Sequence, residues 1–116
     1  MDLIIKENWH SLKINDKVYL FKCIFNENDY QLLLFNLRQT NLFYESKSKI
    51  DIERNLRKYN ETIEAPVGKI NFHLKNCLLS NIESCDFSEK KNGLYIILLF
   101  CLLKQILFCF RSKSCN

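Results

Sequence analysis

Three stretches near the start of the chain distribute their apolar residues as β-strands do. They are Trp9–Ile14, Val18–Phe25 and Tyr30–Leu37. In the first stretch Leu12 and Ile14 fall on one face at a spacing of two, which is the period of a half-buried strand. Polar runs at 15–17 and 26–29 separate the stretches and are typical of turns. The pattern predicts an antiparallel meander, with a short fourth strand at Leu42–Glu45.

The apolar spacing then changes from two to that of a helix. Ser48 and Asp51 have the spacing of a capping box at the start of a helix predicted over Lys49–Asn60. Pro66 ends this helix and suits the first turn of the next, which is predicted over Val67–Leu79. The two apolar stripes are Ile52, Leu56, Tyr59 and Ile63, then Val67, Ile70, Leu74 and Leu78. We expect both stripes to pack against the sheet.

The last third of the chain admits two interpretations. The segment Leu94–Phe110 is almost wholly apolar, and only Lys104-Gln105 interrupts it. A helix that spans a membrane needs about twenty apolar residues and would bury this polar pair at a cost of several kcal/mol. A strand pair, Leu94–Leu103 and Ile106–Ser112, would place Lys104-Gln105 in a turn and is favoured. A small membrane-associated protein anchored by Leu94–Phe110 is the alternative.

Length and composition indicate one domain, residues 1–116, with enough apolar sequence to form a core. The chain has 116 residues, 47% of them hydrophobic, and a net charge of +4. Part of the basic excess lies on the first predicted helix, where Arg54, Arg57 and Lys58 occupy the face opposite the apolar stripe. Such a face permits weak nucleic-acid contact through phosphates, and it is equally compatible with a solvated helix surface.

The sequence contains no recognisable catalytic or ligand-binding motif. It has no phosphate-binding glycine loop and no nucleophile motif, and its two glycines could not form a phosphate cradle. The six cysteines include no C-x-x-C pair, and neither histidine lies at ligand spacing from one. We therefore expect no catalytic residues, no metal, no cofactor and no small-molecule substrate. The unpaired cysteine pattern favours a reducing intracellular compartment.

An ordered set of short motifs resembles a known family. The motifs are Trp9-x-x-Leu12, Tyr30-x-Leu32-Leu33-x-x-x-Leu37, Asn60-x-x-x-x-Ala65-Pro66 and His73-Leu74-x-Asn76-x-Leu78. Their order and spacing resemble the N-terminal head domain of the Cernunnos (XLF) family of non-homologous end-joining factors. The resemblance is strong over residues 9–80 and weaker over 84–112.

The resemblance implies a fold and a function. The family head is mainly β, an antiparallel seven-stranded β-sandwich with an inserted helix pair. Family members are non-enzymatic nuclear scaffolds of DNA double-strand-break repair, and their heads contact the head of the ligase IV scaffold protein. The family's contact positions correspond here to Thr62, Ile63 and Ile106. Thr62 replaces a basic residue, so a charge-assisted contact is lost at that position.

The end of the chain departs from the family pattern. The family continues into a coiled-coil stalk, which is expected to be absent here, and into a basic tail that binds DNA and Ku. A chain that stops at Asn116 is therefore expected to contact DNA ends only weakly, and the missing tail argues against Ku binding. A truncated product and a head-only variant both fit this end. A generic β-sandwich interaction module is a further alternative for the function.

Overall fold

The computed structural model describes residue 4 and residues 6–14, 16–38, 40–60, 65–80, 85–92, 94–101 and 106–114. In 85–92, 94–101, 106–107 and 111–114 the description is of the backbone. The strands are β1 (His10–Ile14), β2 (Lys17–Phe25), β3 (Tyr30–Asn36), β4 (Asn41–Lys47), β5 (Cys85–Asn92), β6 (Leu94–Cys101) and β7 (Ile106–Ser114). The helices, both between β4 and β5, are α1 (Lys49–Tyr59) and α2 (Val67–Leu79).

The first four strands form the antiparallel meander that the alternation predicts. One inner row of the sheet runs from Phe21 through Leu34 to Phe43, and all three side chains are buried. The turn between β2 and β3 is closed twice, since the backbone N–H of Asn26 donates to the Asp29 carbonyl at 2.9 Å and its side-chain amide donates to the Asp29 carboxylate. The predicted strand ends differ from the observed ones by one or two residues.

The described parts of the apolar segment Leu94–Phe110 form strands, as the strand-pair interpretation predicts. Strands β6 and β7 pair antiparallel from Leu94 with Lys113 to Cys101 with Ile106. The predicted Lys104-Gln105 turn lies outside the described residues. Within the described part of the chain, no helix is long and apolar enough to cross a membrane. The membrane-anchored alternative therefore has no support from the structure.

Strand β5 was not predicted from the pattern of apolar and polar residues. Cys85–Asn92 pairs with β6 along its whole length, from Cys85 with Cys101 to Asn92 with Leu94. Its sequence, CDFSEKKN, has low strand propensity and no clear alternation. A charged sequence suits an edge strand because it discourages pairing with other chains, and β5 is at the edge of the sheet.

All seven strands belong to one sheet, in the order β1-β2-β3-β4-β7-β6-β5. Among the described residues, the two halves join at the β4–β7 junction, where the register pairs Phe43 with Ser114 and Tyr44 with Lys113. At the far ends, Cα atoms of β1 and β5 approach within 8 Å. The sheet is therefore continuous and curls until its outer strands come close together.

The apolar stripes of both helices pack against the sheet, although Tyr59 of the α1 stripe is only partly buried and Ile63 lies outside the described residues. Ile52 and Leu56 of α1 lie in the core together with the four predicted α2 positions, Val67, Ile70, Leu74 and Leu78. The capping box is wrong in its detail, because the Ser48 hydroxyl donates to the Asp51 carboxylate at 3.1 Å and caps no backbone group. Helix α1 also ends at Tyr59, one residue earlier than predicted, with Asn60 as its C-cap.

An aromatic cluster joins the two halves of the sheet. The ring of Tyr30 on β3 packs edge-on against Phe108 and Phe110 of β7, with centroids 5.9 and 5.7 Å apart. The Tyr30 hydroxyl donates a hydrogen bond to the carboxylate of Glu45, which is only 3% exposed. Burial raises the pKa of Tyr30 well above its ordinary value, and the Glu45 charge and hydrogen bond raise it further. Tyr30 therefore stays protonated in the folded state.

The burial of the α1 stripe predicts a large loss of stability on truncating one isoleucine of that helix and almost none on truncating another. Ile52 is 1% exposed and Ile50 is 60% exposed. We expect Ile52→Ala to lower the free energy of unfolding by about 2–5 kcal/mol, because it removes buried methyl groups and leaves a cavity. Ile50→Ala should change it by less than about 0.5 kcal/mol. Urea unfolding followed by circular dichroism measures both, and equal losses would contradict the described packing of α1.

The raised pKa of Tyr30 predicts a loss of stability at high pH. In the unfolded chain a tyrosine titrates near pH 10. The folded state binds this proton more tightly, so its contribution to stability is complete below about pH 10 and is lost as the pH rises towards the folded pKa. We expect the free energy of unfolding to fall more steeply above pH 10 in the wild type than in Tyr30→Phe. Tyr44→Phe, on the neighbouring strand, is the control and should keep the wild-type slope.

Candidate functional site

Helix α1 places the three predicted nucleic-acid contacts on its solvent side. Arg54, Arg57 and Lys58 are all exposed, while Ile52 and Leu56 on the opposite side are buried. The Lys58 ammonium group lies 5.4 Å from the centre of the Tyr59 ring. The helical period that buries the apolar stripe therefore also gathers the basic side chains on one exposed face.

Asn55 fastens α1 to β7. Its side-chain amide donates to the Cys109 carbonyl at 2.6 Å, and its side-chain oxygen accepts from the Cys109 N–H at 3.2 Å. Both polar groups of the amide are thus used on one backbone unit, which fixes the position of the helix along the strand. Nothing in the sequence pattern singles out Asn55, because the pairing links residues 54 positions apart.

The predicted partner-contact residues Thr62 and Ile63 lie outside the described residues. The chain is described up to Asn60 and again from Ala65. Asn60 ends α1 firmly, since its backbone N–H and its side-chain amide both donate to the Leu56 carbonyl, at 2.9 and 3.0 Å. Pro66 then precedes the first residue of α2 and accepts from the Lys69 N–H at 3.0 Å.

Ile106, the third predicted contact, is the first residue of β7 and pairs with Cys101 of β6. Its position at a strand end agrees with the sequence-based placement. The predicted meeting of Ile63 and Ile106 in one patch involves residue 63 and is therefore not described by the structure. What the structure adds is that α1 and β7, the two elements next to these residues, are joined through Asn55.

A small concave pocket lies between α1, the end of β4 and the middle of β7. Its volume is about 190 Å³, and Lys47, Arg54 and Lys58 bring three cationic side chains to it. The remaining lining residues are Asp51, Asn55, Tyr59 and Cys109. Sequence reasoning named Arg54 and Lys58 as contacts on a basic helix face and did not include Lys47 among the contacts. The fold brings Lys47, at the end of β4, beside that face.

The cysteines among the described side chains are hydrophobic core groups. Cys23, Cys77 and Cys109 are buried, and their sulfurs are thiols rather than disulfides. Burial raises the pKa of the Cys23 thiol to about 12, so this thiol stays protonated and unreactive at neutral pH. In the described part of the chain, no group of three or more His, Cys, Asp or Glu side chains could hold a metal ion.

Comparison with known families assigns the fold. A family model described as the XLF N-terminal domain matches residues 8–114, which is nearly the whole chain. No curated protein matches the sequence. The match covers all seven strands and both helices, including β5 and β7, where the motif resemblance was weak. The chain therefore belongs to the XLF family, through the N-terminal head domain that defines it.

Proposed function

We propose that this chain is a non-enzymatic scaffold of DNA double-strand-break repair, acting in the nucleus in non-homologous end joining. The observation that carries the proposal is the match of the XLF N-terminal domain to residues 8–114, since the family is one of end-joining repair factors. A scaffold works by presenting a rigid surface to partners. A seven-stranded sheet with two helices packed on it supplies such a surface.

The proposed mechanism is a head-to-head apolar contact with the ligase IV scaffold protein. Ile63 and Ile106 would be the apolar contacts, with Thr62 at the rim. The paired hydrogen bonds between Asn55 and Cys109 support this arrangement, because they hold α1 and β7 in one relative position. Two contact residues on separately moving elements would lose conformational entropy on binding, and prior fixation reduces that loss.

The curled sheet supports the family's sandwich as the finer description of the fold. In the described part of the sheet, the halves join through the short pairing of Phe43 and Tyr44 with β7, and a short pairing can bend. The approach of β1 to β5 is what a sheet folded into two facing layers would produce. We infer that β1–β4 and β5–β7 form the two layers, with the aromatic cluster around Tyr30 between them.

Charging a contact residue should abolish partner binding without unfolding the head. We expect Ile63→Asp and Ile106→Asp each to eliminate measurable binding to the ligase IV scaffold head, because an aspartate cannot be desolvated in an apolar contact without a partner. Their melting temperatures should stay close to the wild-type value. Titration calorimetry and differential scanning fluorimetry measure the two quantities.

Two isoleucines of α1 are matched controls for this experiment. Ile50→Asp changes an exposed side chain and should leave both binding and melting temperature unaltered. Ile52→Asp places a charge in the core and should unfold the domain, at a cost of several kcal/mol. If Ile63→Asp and Ile106→Asp behaved like Ile52→Asp, both residues would belong to the core and the contact proposal would fail.

Contact with a DNA duplex by this chain alone should be weak and only mildly salt-dependent. The three proposed contacts, Arg54, Arg57 and Lys58, neutralise at most about three phosphates, so log K should fall with log salt concentration with a slope of about −3 or shallower. Arg57→Gln should reduce that slope by about 1. Fluorescence anisotropy at several salt concentrations provides the measurement, and tight binding with a slope steeper than about −6 would contradict it.

A further inference from the structure

The pocket between α1, β4 and β7 brings together three cationic side chains. Among the described residues, Lys47, Arg54 and Lys58 make no ion pair. Arg54 and Lys58 are four residues apart on α1 and therefore on one side of the helix, and Lys47 reaches the same pocket from the end of β4. Like charges at this helical spacing repel each other, so a bound anion would reduce the repulsion between Arg54 and Lys58.

The pocket has the charge and size for one phosphoryl group. Its three cations and the Asp51 carboxylate leave a formal excess of two positive charges. A phosphate monoester carries close to two negative charges at neutral pH and offers three acceptor oxygens. The volume of about 190 Å³ is below the range of about 300–1,000 Å³ that is typical of pockets for drug-sized ligands. A carboxylate would neutralise only half of the excess.

The framework of the pocket is held in place before any ligand arrives. Asn55 and Cys109, which line it, are joined by two hydrogen bonds of 2.6 and 3.2 Å. Leu56, next to Asn55, is buried in the core, so α1 cannot rotate without exposing it. The Asp51 carboxylate accepts a hydrogen bond from Ser48 at 3.1 Å, which engages one of its oxygens outside the cationic cluster.

We propose that Lys47, Arg54 and Lys58 form a binding site for a single phosphoryl dianion, the terminal phosphate of a DNA strand being its source. The anion site is argued from this chain's own side chains. The DNA end as its source rests on the proposed function in end joining. The site differs from the exposed face that contacts duplex phosphates, because it includes Lys47 and excludes Arg57.

Titration with inorganic phosphate, followed by amide NMR, tests the site. We expect saturable shifts at the backbone amides of Tyr59 and Cys109. Lys47→Gln, Arg54→Gln and Lys58→Gln should each weaken phosphate binding about tenfold. Lys49→Gln is the matched control, since Lys49 is an exposed lysine of the same helix outside the pocket, and it should change affinity less than twofold. Asp51→Asn should tighten binding, because it removes the one negative charge.

Two results would overturn the site. One is the absence of saturable shifts at Tyr59 and Cys109 in the folded wild type. The other is an equal loss in Lys49→Gln and Lys47→Gln, which would indicate diffuse surface charge. Circular dichroism and the unfolding midpoint verify that each variant is folded. Lys47→Arg keeps the positive charge, so it should bind phosphate nearly as well as the wild type, whereas Lys47→Gln should not.

A second arm identifies the source of the phosphate. Short duplexes with a 5′-phosphate or a 5′-hydroxyl differ only in the terminal group. Tighter binding of the phosphorylated duplex, lost in Lys47→Gln, supports the DNA end. Equal binding of both duplexes overturns the DNA end as source, and inorganic phosphate binding then still reports on the anion site. The scaffold proposal is tested separately, by comparing the wild type and Ile63→Asp in binding to the ligase IV scaffold head. Its failure would leave the phosphate-binding result unaffected.

Discussion

The packing of Tyr30 is the interaction on which the rest of the structure depends. This one side chain contacts Phe108 and Phe110 of β7 with its ring and Glu45 of β4 with its hydroxyl. In the described part of the chain, the β4–β7 junction supplies two residue pairs between the halves of the sheet, so side-chain packing contributes strongly to holding the halves together. The buried carboxylate of Glu45 is tolerated in this cluster because the Tyr30 hydroxyl donates a hydrogen bond to it.

Two asparagines give the helices their positions along the sheet. Both helices pack on the sheet through their apolar stripes. Apolar contact is non-directional, so it does not by itself fix the position of a helix along the sheet. Asn55 ties α1 to the backbone of Cys109, and Asn71 ties α2 to the carbonyls of Asn26 and Asp29 at 2.6 and 2.9 Å. The Asp29 carbonyl thus accepts from the Asn71 amide as well as from the Asn26 N–H. The helix pair is therefore fixed at two points, α1 on β7 and α2 at the turn between β2 and β3.

The two proposed binding surfaces depend on the same joint between α1 and β7. The head-to-head contact uses residues that follow α1 and begin β7, and the phosphoryl site uses cations on α1 beside Cys109. Both surfaces would lose their geometry if Asn55 released the strand. The apolar contact and the ionic site respond differently to salt, since screening weakens exposed charges and leaves apolar burial almost unchanged. The two proposed contacts share one structural joint but can be distinguished by their dependence on salt concentration.

The sequence by itself determined the meander, both helices and the apolar strand pair at the end of the chain, because each has a hydrophobic period that local geometry imposes. Its ordered motifs also identified the family. It did not reveal β5, whose polar sequence becomes a strand only because the long apolar β6 offers it a hydrogen-bonding edge. Nor did it reveal Tyr30 with Glu45, Asn55 with Cys109, or Lys47 beside Arg54. These pairings join residues that are distant or differently oriented along the chain, and only tertiary packing brings their polar atoms together.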